Sequence, residues 1–423
     1  MVQYISRLLI ALVIVSSLWP TAFAAGQQML VPMGLKQNNH LKAYGLAYLA
    51  LTEDEDVEWL LNYRGGSFVM PASEKSIRAA RLRGVSFTSV SPAELRRIHD
   101  HMEANNMERM LLEKAPRIAV YRPPDNRPWD DAVSMALDYA EVPYDQIWDK
   151  EVLSGWLEKY DWVHLHHEDF TGQYSKFYTF RKTEWYRQQQ ESAETTSKSL
   201  GFRSVAEEKK ELARTIRSYV AHGGFLFAMC SSTETLEIAL SAEGIDIVPP
   251  EYDGTPITRK SEAGLDYEKT FAFKDFSIEK DPRNGAYSDI DMNQVNANKT
   301  PTKSFTLFEF SAKHDPVPTM LTQNHASYIA GFYGLLTTFN KRLLKGTVVV
   351  LGEEAGTDRV KYIYDNFGKG SFVFYGGHDP EDEEHNVNDP PTNLNLHKNS
   401  PGYRLILNNV LFPAAKHNRK LKT

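Results

Sequence analysis

The only cysteine of the chain, Cys230, ends the apolar run Phe225-Leu226-Phe227-Ala228-Met229 and is followed by Ser231-Ser232-Thr233. Five apolar residues in a row predict a buried strand, and the hydroxyl residues predict the cap of a helix through 236–240. Strand, sharp turn, cysteine and helix form an elbow that presents a nucleophile to substrate, and a helix N-terminus lowers a thiol's pKa. Ser231 would then line the substrate site. The competing interpretation is a small buried hydrophobe. A second cluster, His164-x-His166-His167-Glu168-Asp169, ends a strand predicted over 162–166. Alternation puts His164 and His166 on one face and His167 on the other. As cleft-lining groups, His166, His167 and Glu168 can bind substrate. As metal ligands, the alternative, His164 and His166 with a third ligand from His378 or Asp379 can hold Zn²⁺. The thiol chemistry itself calls for no cofactor.

These residues need strand ends to carry them. The mature chain predicts a strand at 29–32, a helix at 41–51 capped by Asn38 or Asn39, a strand at 57–63 and the loop Arg64-Gly65-Gly66-Ser67. A helix over 73–82, a strand over 85–90 and a helix over 93–113 complete a βαβαβα series. A second series runs through a strand at 117–121, a helix at 129–139 and strands at 144–148 and 162–166. A polar loop centred on 188–197 interrupts it. The helix at 205–220 then feeds the Cys230 strand. Later come strands at 346–351 and 370–375 and a last helix at 403–411. Alternating strands and helices predict an α/β fold with doubly wound, mostly parallel, flavodoxin-like sheets. In such sheets ligands bind beyond the carboxyl ends of the strands. That places Asn39, His40 and Arg64 as further substrate-binding candidates, Arg64 for a carboxylate or phosphate.

The elbow at Cys230 and the later run Gly368-Lys369-Gly370-Ser371-Phe372-Val373-Phe374-Tyr375-Gly376-Gly377-His378-Asp379-Pro380-Glu381 resemble the class I glutamine amidotransferase-like superfamily. The ending is similar to its trehalose-utilisation-type branch. The resemblance covers about residues 116–250 and 345–415. It implies amide hydrolysis through a thioester, with Cys230 as nucleophile, His378 as base and Glu381 or Asp379 orienting the imidazole. The chain departs from the superfamily in having Ala228 and Ser232 where glycines flank the nucleophile, and in the two residues between His378 and Glu381. The whole chain also resembles bacterial proteins named asparagine synthetase B, through His40-Leu41-Lys42-Ala43-Tyr44-Gly45 and Trp59-Leu60-Leu61-Asn62-Tyr63-Arg64-Gly65-Gly66-Ser67-Phe68. That name implies glutamine-dependent amidation of aspartate. Residue 2 is Val rather than a catalytic Cys, and no Ser-Gly-Gly-x-Asp loop is present.

Composition bounds the rest. The chain has 423 residues and 42% hydrophobic content, enough for two domains or one with large insertions. Residues 1–24 read as a signal peptide: Arg7, the apolar run 8–15, Trp19-Pro20 and the small-residue site Ala22-Phe23-Ala24. The expected organisation is therefore a signal peptide, an N-terminal βα segment or small α/β domain over 25–115, and an amidotransferase-like domain over 116–415. That domain carries insertions at about 171–203 and 245–345. The expected location is periplasmic or secreted, with no membrane span after cleavage. The net charge is −7, and loss of Arg7 makes it −8, so nothing points to nucleic acid. The expected partner is a small-molecule substrate, and no motif sets an oligomeric state. Two function classes follow. One is an exported Cys-dependent, amidotransferase-like hydrolase acting on an amide or related small substrate. The other is a catalytically altered or metal-assisted sugar- or peptide-binding envelope protein.

Overall fold

The structure is a computed structural model that describes residues 26–124, 131–292, 304–308, 311–314, 326–330, 338–382 and 390–416. The predicted signal peptide lies outside the described residues. In chain order the strands are β1 (Gln28–Val31), β2 (Val57–Leu61), β3 (Ser67–Pro71), β4 (Thr88–Val90), β5 (Glu108–Leu112), β6 (Ile118–Tyr121), β7 (Asp145–Ile147), β8 (Trp162–Leu165), β9 (Phe225–Met229), β10 (Phe305–Leu307), β11 (Tyr328–Ile329), β12 (Phe339–Asn340), β13 (Val349–Glu353), β14 (Arg359–Phe367), β15 (Gly370–Tyr375) and β16 (Ala415–Lys416). The helices are α1 (His40–Thr52), α2 (Glu74–Leu82), α3 (Pro92–Glu103), α4 (Ala132–Ala140), α5 (Asp149–Leu153), α6 (Glu184–Ser199), α7 (Val205–Ala221), α8 (Ser231–Ser241), α9 (Pro250–Asp253) and α10 (Pro401–Leu411).

The strands form two sheets, and the expected doubly wound, mostly parallel, flavodoxin-like arrangement is corrected by both. The first sheet has the order β16-β5-β2-β3-β1-β4, and every pairing in it is antiparallel. The second runs β11-β10-β13-β14-β15-β9-β8-β6-β7, with β12 on β14. Only its β15-β9-β8-β6-β7 portion is parallel, and β14, β13, β10 and β11 continue it antiparallel. The causes are local. Asn62, Arg64, Gly65 and Gly66 all have positive φ. They turn the chain back on itself, so 64–67 joins a hairpin rather than a strand to a helix. A Cβ on Gly65 would sit 2.5 Å from the Met33 carbonyl oxygen, which fixes glycine there. The helix expected over 93–113 stops at Glu103, and Glu108–Leu112 pairs with β2 instead. The polar segment 188–197 is part of the 16-residue helix α6, not a loop.

Side-chain alternation divides the core. Val120, Trp162, Phe227, Val373 and Tyr375 face one way, into a cluster shared with α1, α4, α10 and the first sheet. Ala119, Tyr121, Leu165, Ala228 and Phe374 face the other way, against α7, α8 and residues 271–290. The helical layer of α1, α4 and α10 therefore lies between the two sheets, and β16 returns the chain to β5. The buried Arg404 of α10 clamps this junction. Its guanidinium donates to Tyr44 Oη (3.0 Å), to the Met33 carbonyl (3.0 Å) and to the Gly65 carbonyl.

Candidate functional site

Parallel pairing puts the carboxyl ends of β8, β9 and β15 at one edge of the second sheet. Leu165 is level with Ala228, and Met229 with Tyr375, so His166, Cys230 and Gly376 leave the sheet side by side. Cys230 is itself the N-cap of α8, with φ 50° and ψ −144°. A side chain other than glycine holds that conformation only at a cost of about 1–3 kcal/mol. The elbow is stitched to the neighbouring loop. The Ser232 amide donates to the His166 carbonyl (3.2 Å), Ser231 Oγ to the His167 carbonyl (3.1 Å) and Thr235 Oγ1 to the Glu168 carbonyl (2.8 Å). The hydroxyls expected to cap the helix thus donate to carbonyls instead. Cys230 is 1% exposed. Burial pushes its thiol up to about 12, outweighing the Ser231 amide and hydroxyl that favour the thiolate. The expected lowering by the helix N-terminus is therefore reversed.

Beside the elbow lies a buried group of Asp131, His164, His166 and His378. His166 Nε2 and His378 Nδ1 are 2.9 Å apart and share a hydrogen bond. On the other side of the ring, His166 Nδ1 is 3.6 Å from Asp131 Oδ1. His164 packs behind, its Nδ1 2.9 Å from the Phe227 carbonyl oxygen and its Nε2 3.3 Å from the same Asp131 oxygen. Asp131 reaches this place as the N-cap of α4, accepting from the amides of Val133 (2.9 Å) and Ser134 (3.3 Å) and from Ser134 Oγ (2.6 Å). Burial opposes its ionisation, but His164, His166 and Ser134 overcome this and hold its carboxyl well below the usual range. Burial, with His378 alongside, holds His166 well below the usual imidazole value, so it is neutral near pH 7. Glu168 accepts from the His166 amide (2.8 Å), and burial pushes its carboxyl up to about 8.

The sequence candidates separate into two groups. Cys230, Ser231, His164, His166, His167, Glu168 and His378 come together at this edge. Asp379 and Glu381 follow His378 but turn elsewhere. Asp379 accepts from Tyr403 Oη (2.7 Å), Thr392 Oγ1 (2.9 Å) and the Glu381 amide (2.8 Å), and Glu381 lies 3.1 Å from His397. The carboxylate behind the His378–His166 pair is Asp131, which the sequence analysis left inside the helix expected over 129–139 and which instead caps α4 from outside it. Asn39 caps α1 and donates to Tyr139 Oη (2.9 Å), while His40 is held by Asn399 (2.9 Å) and the Met33 carbonyl (2.8 Å). Arg64 lies over the Tyr63 ring and lines a groove of about 740 Å³ with Thr88, Arg97 and His101 on the first sheet.

A second polar group behind the elbow carried no sequence signal. Ser288 Oγ donates to Glu234 (2.5 Å), whose carboxyl burial pushes up to about 8. The fully buried Lys361 bonds Thr338 Oγ1 (2.5 Å), and burial brings its ammonium down to about 8. Asp291 lies within electrostatic reach of Cys230, Glu234 and Lys361. Among the described residues, no helix is long and apolar enough to cross a membrane.

No family model matches the chain, and no curated protein matches it. Among solved structures it is similar to a cytoplasmic protein from Salmonella typhimurium LT2, at 11% identity and a TM-score of 0.34, over 71% of this chain and 100% of that one. A second cytoplasmic protein from Salmonella typhimurium gives 11% identity and a TM-score of 0.34, over 71% of this chain and 99% of that one. A β-galactosidase from Bacillus circulans sp. alkalophilus gives 11% identity and a TM-score of 0.26, over 64% of this chain and 30% of that one. Both Salmonella proteins are named as cytoplasmic, against the periplasmic or secreted location expected here. That expectation is withdrawn, and no location takes its place.

Proposed function

We propose that this chain is a thiol-dependent hydrolase acting on an amide or related small substrate, with Cys230 as nucleophile and His378 as its base. The observation that carries the reading is the backbone of Cys230. A small buried hydrophobe has no need of φ 50° and ψ −144°, whereas a nucleophile elbow does. The raised thiol pKa makes a base obligatory, because the resting sulfur keeps its proton. In the reaction Sγ bonds to the acyl carbon as its proton passes to His378. The protonated imidazole then gives that proton to the leaving amine as the C–N bond breaks. Water attacks the thioester, returning the proton to sulfur and releasing the acid. His166 and Asp131 stabilise the positive charge that appears on His378 during this cycle, the part Asp379 or Glu381 was expected to play.

The test is acylation of the folded protein by a small activated ester, read by intact mass. The expected result is a single acyl adduct on Cys230, absent in Cys230→Ser and slowed at least about tenfold in His378→Gln. An adduct that forms equally in His378→Gln, or only after unfolding, would remove the basis for the mechanism. Circular dichroism of each variant separates lost chemistry from lost fold.

A further inference from the structure

We infer that His166, His167 and His378 form a binding site for one transition-metal cation of the zinc class. One ring nitrogen from each of the three lies within 4.8 Å of the other two. Tetrahedral coordination with N–metal bonds of ~2.1 Å sets donor atoms about 3.4 Å apart. His166 Nε2 and His378 Nδ1 are already 2.9 Å apart around one shared proton, so a cation can take that proton's place with a small opening of the pair. His167 is the half-buried member, and its side is where an ion can enter and where the ring can adjust.

The surroundings favour this assignment. His166 presents Nδ1 to Asp131, 3.6 Å away, and Nε2 to the cluster. A carboxylate behind a ligating imidazole fixes the ring and its tautomer and strengthens its bond to the metal. Three imidazoles without a ligating carboxylate suit Zn²⁺, Co²⁺ or Ni²⁺ rather than Mg²⁺ or Ca²⁺. A second triplet of suitable donors, Asp131, His164 and His166, is less suited. Its carboxylate is already committed, accepting two backbone amides and the Ser134 hydroxyl as the cap of α4. The alternative set weighed from sequence, His164 and His166 with His378 or Asp379, shares His166 and His378 with this one and differs in placing His164, which here lies 3.3 Å from Asp131, rather than His167. Cys230 belongs to neither triplet.

Cation binding stands independently of the thiol mechanism. Its consequence for activity rests on that reading: a cation on His378 removes the base, so the metal acts as an inhibitor of Cys230 acylation. The experiment takes the full chain, strips it with a chelator and titrates it with Zn²⁺ by calorimetry and with Co²⁺ by visible absorption. The expected result is one equivalent bound, with a cobalt d–d band and a metal-dependent rise in Tm. Affinity should fall at least about tenfold in His167→Ala and in Asp131→Asn, as for lost ligands and their supports. Cys230→Ser should bind as the wild type does. Absence of binding by Zn²⁺, Co²⁺ and Ni²⁺ to the folded wild-type chain would overturn the site, as would binding undiminished in both His167→Ala and His378→Ala. If the cation binds as described but leaves Cys230 acylation untouched, the site stands and the thiol mechanism is what fails.

Discussion

At the scale of single residues, the informative position is Cys230, where two effects oppose each other. Its backbone is strained as a nucleophile's is, while burial keeps its thiol protonated. The resting thiol should therefore be slow toward an alkylating reagent that His378 does not help it attack. A rise from 9.0 to about 12 lowers the thiolate fraction about a thousandfold near pH 8. Iodoacetamide labelling at that pH should be slower than in urea-unfolded protein by at least about a hundredfold. Equal rates would mean that the thiol is not sequestered. The strain has its own signature. Cys230→Ala keeps it and Cys230→Gly releases it, so the glycine variant should be the more stable of the two by about 1 kcal/mol in urea unfolding. The reverse order would show that the conformation costs nothing.

At the scale of elements, helix α1 is fixed by how closely it approaches α4. A Cβ on Gly45 would lie 1.6 Å from the Ala140 carbonyl oxygen, a backbone atom that cannot step aside. Gly45→Ala should destabilise by about 3 kcal/mol or more despite alanine's better helix propensity, read as a fall in the urea midpoint. A smaller loss would show that the two helices can separate. Much of this layer was legible in the sequence. The cap at Asn39, one of the two asparagines offered, the strand before Cys230 and the last helix all follow from residue type and period. Among the strands that escaped, two show the physical reasons. In β5, Glu108-Arg109-Met110-Leu111-Leu112 mixes charged and apolar residues as a continuing helix does, and only pairing with β2 makes it a strand. In β14, Lys361 is buried among apolar neighbours, which breaks the alternation that would announce a strand. With β14 unseen, the antiparallel half of the second sheet was unseen too. The candidate site was legible as strand-end clusters. The choice of Asp131 over Asp379 was not, because it depends on where α4 docks.

At the scale of the whole molecule, the two sheets share one helical layer, and the second sheet places several of its buried titratable groups around the elbow. Among these are carboxyls that folding keeps protonated. Glu234 and Glu168 are each raised to about 8 by burial, so between roughly pH 4.5 and 8 the folded chain holds protons that the unfolded chain has released. Stability from these groups is therefore lost as pH rises through that window. Replacing Glu234 with Gln should raise Tm relative to wild type by more at pH 8 than at pH 5. A difference that does not change with pH would show that Glu234 ionises normally in the folded state. The same edge carries the account's central claim, that Asp131, through His166 and His378, serves Cys230. The most direct measurement is the single-turnover rate of Cys230 acylation by an activated ester in wild type and Asp131→Asn, followed from pH 5 to 9. Asparagine keeps the α4 cap, so the fold is retained while the charge is removed. If Asp131 acts through His166 and His378, the rate is at least about tenfold lower in Asp131→Asn, with the wild-type pH dependence altered. Superimposable profiles for the two proteins would contradict it.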